Sequence, residues 1–436
     1  MHHSFPHTLF VSASAALATI MSPPASATSL RVATWNLGWH VSQAELGPWI
    51  AQCGKSYAKN QATGVWEVVP AQTSSAQIGW EIDESRAQLE GVDLAVTPPC
   101  GVYRSPSRAG IAVTAAAWAK RNEQISAVLR DSVKADVIAF QEVSGVAAVR
   151  EALGAAVGDY EVCSFEPRYK IQRLAFAWKR SLGPAVGPCQ DFRELSLPQL
   201  TPKDQVRPGF DVTLQVAGKK VRFLTLHLKS ACVSPLHRGR GRLDANSGAN
   251  DPCPVLQQQV DPLEAILEDL PKGVDHVVVL GDFNRNLGHE AARVTGAEPV
   301  RSDGSTNLAK PRSAGVATRN LLAEVNDGQP AVSTFVLLSP TCAESGELAA
   351  ACDRAKTQVL GAEERRVLTD RTGLGCRNPI GLDHILVSDE LSKAVLSTTK
   401  VPLGNFGRSL SAKPPKNPEP LLAVSDHGPL VAEIDL

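Results

Sequence analysis

Six short segments each place an acid, amide or imidazole group at the end of an apolar run. In order they are Thr34-Trp35-Asn36, Gln141-Glu142, His227-Leu228-Lys229-Ser230, Gly281-Asp282-Phe283-Asn284, Leu382-Asp383-His384 and Ser425-Asp426-His427. Strand ends are where an α/β scaffold holds polar side chains rigidly over one rim. The recurrence predicts one site assembled from distant pieces of the chain, with the chemistry of a hard cation and a phosphate ester.

The chain has 436 residues, 43% hydrophobic and 20% charged, enough for a large core. Its formal net charge is -1, so no global basic field draws in nucleic acid and any polyanion contact must come from a local patch. Leu9 to Met21 is an Ala-rich apolar run too short to span a bilayer. Ala25-Ser26-Ala27 follows as a small-x-small cleavage site, so residues 1–27 read as a signal peptide. That predicts an exported protein, periplasmic or secreted, with no stable membrane anchor. All nine cysteines lie after this site and no CxxC occurs, which favours disulfides over a zinc ribbon. Cys53 with Cys100, Cys163 with Cys189, and Cys232 with Cys253 each bracket a plausible loop. Cys342, Cys352 and Cys376 are close in sequence and leave room for one free thiol.

Apolar patterning predicts strands over Leu30–Trp39, Asp136–Val143, Tyr160–Phe165, Leu174–Trp178, Ile380–Val387 and Leu430–Ile434. A hairpin over Phe210–Lys229 turns at Gly218-Lys219, and a fully apolar strand, His276–Leu280, leads into Gly281-Asp282. Helices are predicted over Val113–Val133, Gly145–Val157 and Pro254–Leu270. Residues 41–110 and 231–253 read as insertions in one domain over 28–436. Residues 286–316, 342–380 and 405–420 read as loops. The best architecture is two stacked β-sheets with helices outside.

A carboxylate placed directly after a buried strand is costly unless solvated, paired or metal-bound. Glu142 is therefore the leading metal ligand, with Asn36 and Asp426 beside it. Asp282 and Asn284 share a face if the stretch is extended; an Asx turn is the other reading. Gly281 permits close approach of a ligand to the backbone. Asp383 suits the role of partner to His427, fixing its tautomer. His384 reads as a side chain of the opposite strand face, and His227 as a second imidazole for a non-bridging oxygen.

The ordered set TWN, QE, HLKS, GDFN, LDH and SDH resembles the endonuclease/exonuclease/phosphatase superfamily, over residues 30 to 436. The resemblance implies an α/β fold, a four-layer α/β/β/α sandwich of two packed mixed β-sheets flanked by helices. It implies a hydrolase acting on phosphoester bonds, using Mg²⁺ (or Mn²⁺ or Ca²⁺). Asn36, Glu142 and Asp426 match the metal positions. Asp282 and Asn284 match the pair that positions water and phosphate, and Asp383 with His427 the closing acid–imidazole pair. His227 matches the histidine of the deoxyribonuclease I-like and sphingomyelinase branches. Where the former pair it with a glutamate, this chain has Gln172, so His227 should be less readily protonated. Tyr169 and Arg173 are further candidates for the phosphate.

Arg238, Arg240 and Arg242 lie in the 231–253 segment just after His227 and suit successive backbone phosphates. The expectation is an exported nuclease, acting on DNA more than RNA and monomeric. A sphingomyelinase-like lipid phosphodiesterase is the alternative, with Trp49, Trp66 and Trp80 as membrane-contact residues. A non-catalytic module that keeps the fold is the other.

Overall fold

The computed structural model describes residues 1–2, 29–82, 88–103, 110–165, 171–202, 204–233, 236, 251–293, 320–327, 334–407 and 422–436. The proposed signal peptide, Tyr169, and Arg238, Arg240 and Arg242 lie outside them, as does most of the 405–420 stretch.

Among the described residues two six-stranded mixed sheets dominate. The first runs, edge to edge, through Val395–Lys400, Leu430–Asp435, Ser29–His40, Val137–Val143, Arg173–Lys179 and Tyr160–Ser164. The second runs through Phe335–Leu337, Asp383–Ser388, His276–Asp282, Lys219–His227, Gly209–Val216 and Gln190–Phe192. One parallel pair lies near the centre of each: Ser29–His40 beside Val137–Val143, and Lys219–His227 beside His276–Asp282. Parallel neighbours bring their C-terminal ends to the same rim, which is why Asn36, Glu142, His227 and Asp282 emerge together.

The inner faces of both sheets share one apolar layer that includes Val32, Val137, Phe176, Phe210, Phe223, Leu280 and Ile385. The outer face of the first sheet packs Trp35, Phe140 and Val431 with Ile125 and Val149 of the helices Ala115–Val128 and Val146–Leu153. The outer face of the second packs Leu226 and Val279 with Leu263 and Leu267 of the helix Val260–Asp269. The result is the four-layer α/β/β/α sandwich expected from the resemblance. Under the rim a polar bridge joins the sheets: Thr34 Oγ1 donates to Gln141 Oε1 (3.1 Å), and Gln141 Nε2 donates to Thr225 Oγ1 (2.9 Å).

Several expected elements differ. The long helix over 254–270 is two, Cys253–Gln258 and Val260–Asp269, parted at Gln259. Pro262 explains the break: it lacks an N–H and its ring collides with the carbonyl one turn earlier. The stretch 342–380 holds two helices, Gly346–Ala355 and Ala362–Thr369, the first stapled by a Cys342–Cys352 disulfide. The hairpin turns one residue earlier than expected, at Ala217-Gly218, where both residues have positive φ. The Cys53–Cys100, Cys163–Cys189 and Cys232–Cys253 bridges form, and Cys376 is free and buried.

Residues 41–110 carry a helix, Gln43–Cys53, a small three-stranded sheet and an aromatic cluster of their own. Trp49 and Trp80 are 1% and 2% exposed and meet edge to face, 5.7 Å between centroids, so neither offers a membrane-contact surface. No helix of the described residues is long and apolar enough to cross a membrane.

Candidate active site

The site begins at a break in strand pairing. Gln141 pairs with Leu174 and Val143 with Arg173, which leaves Glu142 unopposed in a bulge. Glu142 has φ +55°, uncommon for a residue with a side chain. Bulges of this kind re-aim a side chain, and this one turns the Glu142 carboxylate across the rim. Trp39 N donates to its Oε2 (3.1 Å) and Asn36 Nδ2 to its Oε1 (3.2 Å).

Asn36 is the hub. Its Nδ2 also donates to Asp282 Oδ2 (3.0 Å), and its Oδ1 accepts from Gly38 N (2.9 Å). The amide thus bonds two carboxylates from different sheets, and its oxygen, with one backbone N–H, keeps a second lone pair.

Asp282 and Asn284 are held by an Asx turn and not by an extended face: Asn284 N donates to Asp282 Oδ1 (2.8 Å) and Asn284 has φ +47°. Asn284 Nδ2 donates to Leu228 O (3.2 Å), which leaves its second amide hydrogen for a ligand. Gly281 serves a different purpose from the one expected. A Cβ there would sit 2.2 Å from Leu226 O, so the close approach is between neighbouring strands.

His427 Nδ1 lies 3.0 and 3.1 Å from the two Asp383 oxygens, and its Nε2 lies 3.7 Å from Asp282 Oδ2. Burial alone would lower its pKa, but the Asp383 and Asp282 carboxylates outweigh that and raise it to about 10. Burial would also raise Asp383, yet His427 and Lys400 hold it well below the usual carboxylate range. Burial pushes Asp282 upward against the pull of His427. Ser425 Oγ donates to Asn36 O (2.5 Å) and accepts from His427 N (3.0 Å), which ties the last motif to the first.

His227 is 2% exposed, with Nε2 3.6 Å from both Glu142 Oε1 and Asp282 Oδ2. Burial, followed by the charges of Arg207 and His427, lowers its pKa well below the ordinary value. These effects favour the neutral imidazole. Gln172 instead accepts from Arg207 Nη1 (2.8 Å), while Arg207 Nε and Nη2 donate to His227 O (2.9 Å) and Leu228 O (2.7 Å). Arg173 is half-buried at the start of the strand flanking the bulge, opposite Val143. His384 stands aside: it is buried against Phe283, its Nε2 2.7 Å from Arg285 O.

Glu142 is pushed up first by burial and then by the charge of Asp426. The potential ligand atoms of Asp282, Asp383 and His427 lie within 4.8 Å of one another, and carboxylate oxygens are the donors a hard divalent cation takes. Asp426 Oδ2 meanwhile accepts from Arg377 Nη2 (2.9 Å) and Asn378 Nδ2 (2.8 Å).

Four neighbours escaped the sequence reading. Arg207 and Asn378 each precede or follow a proline signal and look like loop residues. Arg377 looks like surface charge. Lys400, whose Nζ donates to Asp383 Oδ2 (2.7 Å), ends an alternating strand and reads as a solvent-facing lysine. Only Asn378-Pro379, a turn signal five residues before Asp383, offered a hint.

The chain is similar to several solved structures. A humanized D. rerio TDP2 is 11% identical, with 94% of this chain and 99% of that one covered and a TM-score of 0.41. An endonuclease/exonuclease/phosphatase family protein from Bacteroides thetaiotaomicron is 13% identical, with 94% and 95% covered and a TM-score of 0.42. The human Nocturnin catalytic domain with bound sulfate is 15% identical, with 76% and 90% covered and a TM-score of 0.37. Scores this low carry no functional inference. No curated protein matches the chain. The model of the Endonuclease/Exonuclease/phosphatase family, in contrast, matches residues 109–427, a span that takes in five of the six motifs. With Asn36 of the remaining motif bonded to Glu142 and Asp282 inside that span, the chain belongs to the endonuclease/exonuclease/phosphatase family, whose members hydrolyse phosphoester bonds with divalent metal ions.

Proposed function

We propose that this protein is an exported, Mg²⁺-dependent phosphodiesterase that cleaves DNA by in-line attack of water. The observation that carries the hydrolytic reading is the single network in which Asn36 bridges Glu142 and Asp282, with the His427–Asp383 pair closing on Asp282. Glu142, with Asn36 and Asp426, would hold the cation, which supplies neutralisation of phosphate and leaving-oxygen charge. Asp282 is the group suited to take the proton from water. His427, protonated beside Asp383, is suited to neutralise a phosphoryl oxygen. Asn284 and neutral His227 are suited to donate to the remaining oxygens.

Of the three aromatic residues that a membrane reading needs, Trp49 and Trp80 are buried and Trp66 is half-buried, which supports DNA over a lipid. The Cys232–Cys253 bridge brings the ends of the arginine-bearing segment together, Cα atoms 4.8 Å apart, four residues after Leu228. Export accords with four disulfides in one chain. The signal peptide over residues 1–27 and the single domain over 28–436 belong to the same proposal, as does a monomeric state.

The test is a panel of duplex DNA, single strands, RNA, sphingomyelin and inositol phosphates with Mg²⁺, Mn²⁺ and Ca²⁺. Preference for sphingomyelin would overturn the nuclease reading, and no hydrolysis of any substrate would overturn catalysis. Replacing Arg238, Arg240 and Arg242 together should weaken DNA cleavage and reduce its log–log salt slope by about 3, with a small phosphodiester unaffected.

A further inference from the structure

Lys400 has no place in the roles assigned above, yet it is among the most deeply buried charged groups in the molecule. Its side chain and that of Asp383 are each 1% exposed, with Nζ 2.7 Å from Asp383 Oδ2. The two residues come from different sheets: Lys400 ends the edge strand of the first, and Asp383 opens a strand of the second. Lys400 is held at the backbone by Thr341 O (2.8 Å) and sits opposite Leu430 in the ladder. Its stem runs beneath the turn that follows His427: a Cβ on Gly428 would lie 3.6 Å from Lys400 Cε.

Taking an ammonium and a carboxylate out of water is expensive, and well-packed apolar residues commonly serve stability as well or better. Stability alone is therefore a weak reason for this pair. Its position suggests another. Lys400, Asp383, His427 and Asp282 form a line of alternating charge, with successive contacts of 2.7, 3.0 and 3.7 Å. Asn36 continues that line from Asp282 to Glu142. A carboxylate bonded to His427 alone could swing about its χ2 and carry the ring with it. With Oδ2 pinned by Lys400, both oxygens stay facing Nδ1, and Nε2 stays aimed at Asp282.

We propose that Lys400 is a positioning residue of the active site: it pins the Asp383 carboxylate so that the His427 ring is held toward the reacting phosphate. This rests on the hydrolytic reading above. The role is distinct from binding substrate, because Lys400 lies behind Asp383 and reaches no open surface.

The experiment compares Lys400→Met, Asp383→Asn and the double variant in the full mature chain with Mg²⁺, using bis(p-nitrophenyl) phosphate and duplex DNA. Lys400→Met should lower kcat about 10- to 100-fold with KM within twofold. In the Asp383→Asn background the same change should alter kcat less than twofold, because its only route of action is already gone. The double variant also serves if Lys400→Met fails to fold, since it leaves no lone buried carboxylate. A further drop of tenfold or more in that background, or wild-type kcat in folded Lys400→Met, overturns the proposal. A second readout does not need activity. The exchangeable proton between His427 and Asp383 should give a downfield NMR resonance in the wild-type chain, absent in His427→Gln. That resonance should shift or broaden in Lys400→Met, and an unchanged resonance there overturns the proposal. If the wild-type chain hydrolyses nothing, the failure belongs to the hydrolase reading, and the resonance still decides the part played by Lys400.

Discussion

Among the described residues, two groups of side chains each bring potential ligand atoms within 4.8 Å of one another: Asp282, Asp383 and His427, and Glu264, Glu268 and Asp327. Their electrostatics differ most at one residue, Asp383. In the first, carboxylates alternate with cations, and Asp383 is held low by His427 and Lys400. In the second, Glu264 and Glu268 lie one turn apart on the helix Val260–Asp269, near Asp327 past the helix Leu321–Val325. Burial and then Glu324, Glu268 and Asp327 push Glu264 up to about 8, and burial with Asp327 pushes Glu268 up to about 7. Nearness of acids is thus a poor mark of an active site. The first group interleaves its acids with His427 and Lys400, each supplied by a different strand or loop.

The largest test of that distinction is Asp282→Asn against Glu264→Gln. Asp282→Asn should cost about 10³-fold or more in kcat while the fold is kept. Glu264→Gln should leave kcat within twofold. Glu142→Ala and His427→Ala belong with the first and should nearly abolish metal-dependent hydrolysis. Retained turnover in both, measured on folded protein by circular dichroism, would remove the roles assigned here.

Gly281→Ala probes how the first group is built. The added methyl would meet Leu226 O at 2.2 Å in the parallel pairing that carries Asp282 and His227. The strands must part, at a cost on the order of 2–4 kcal/mol, and Asp282 must move with them. A fall in Tm accompanied by a fall in kcat of about tenfold is expected. Loss of stability with kcat intact would show that the rim tolerates slack.

What could be read from the chain beforehand follows from how each feature is encoded. Residues that end apolar runs announce themselves, so Asn36, Glu142, His227, Asp282, Asp383 and His427 were visible and come together. The bulge at Glu142 was not, because it arises from register against Leu174 and Arg173, thirty residues away. Lys400 ends Val-Leu-Ser-Thr-Thr-Lys, a pattern equally suited to a surface strand. Its burial comes from tertiary contacts, with Asp383 of the other sheet and the turn at Gly428. Trp49 and Trp80 looked like membrane contacts because the partners that bury them are distant in sequence: Trp49 packs against Trp80, Tyr103 and Trp118.

The smallest effect tests the second group by pH. The folded-state pKa of Glu264 is about 8, above the ordinary value of 4.5. Between those two values the folded chain keeps a proton that the unfolded chain has released. The stability contributed by this group therefore falls as pH rises through the window and is flat outside it. Glu264→Gln removes the penalty. Its Tm advantage over the wild-type chain should be near zero at pH 4.5 and grow toward pH 8. Partial exposure of the site limits the gain to roughly 1–4 °C. The measurement is thermal unfolding in EDTA at intervals across that range. A Tm difference that does not change with pH would mean that Glu264 stays ionised. The two groups would then differ in geometry alone and not in charge.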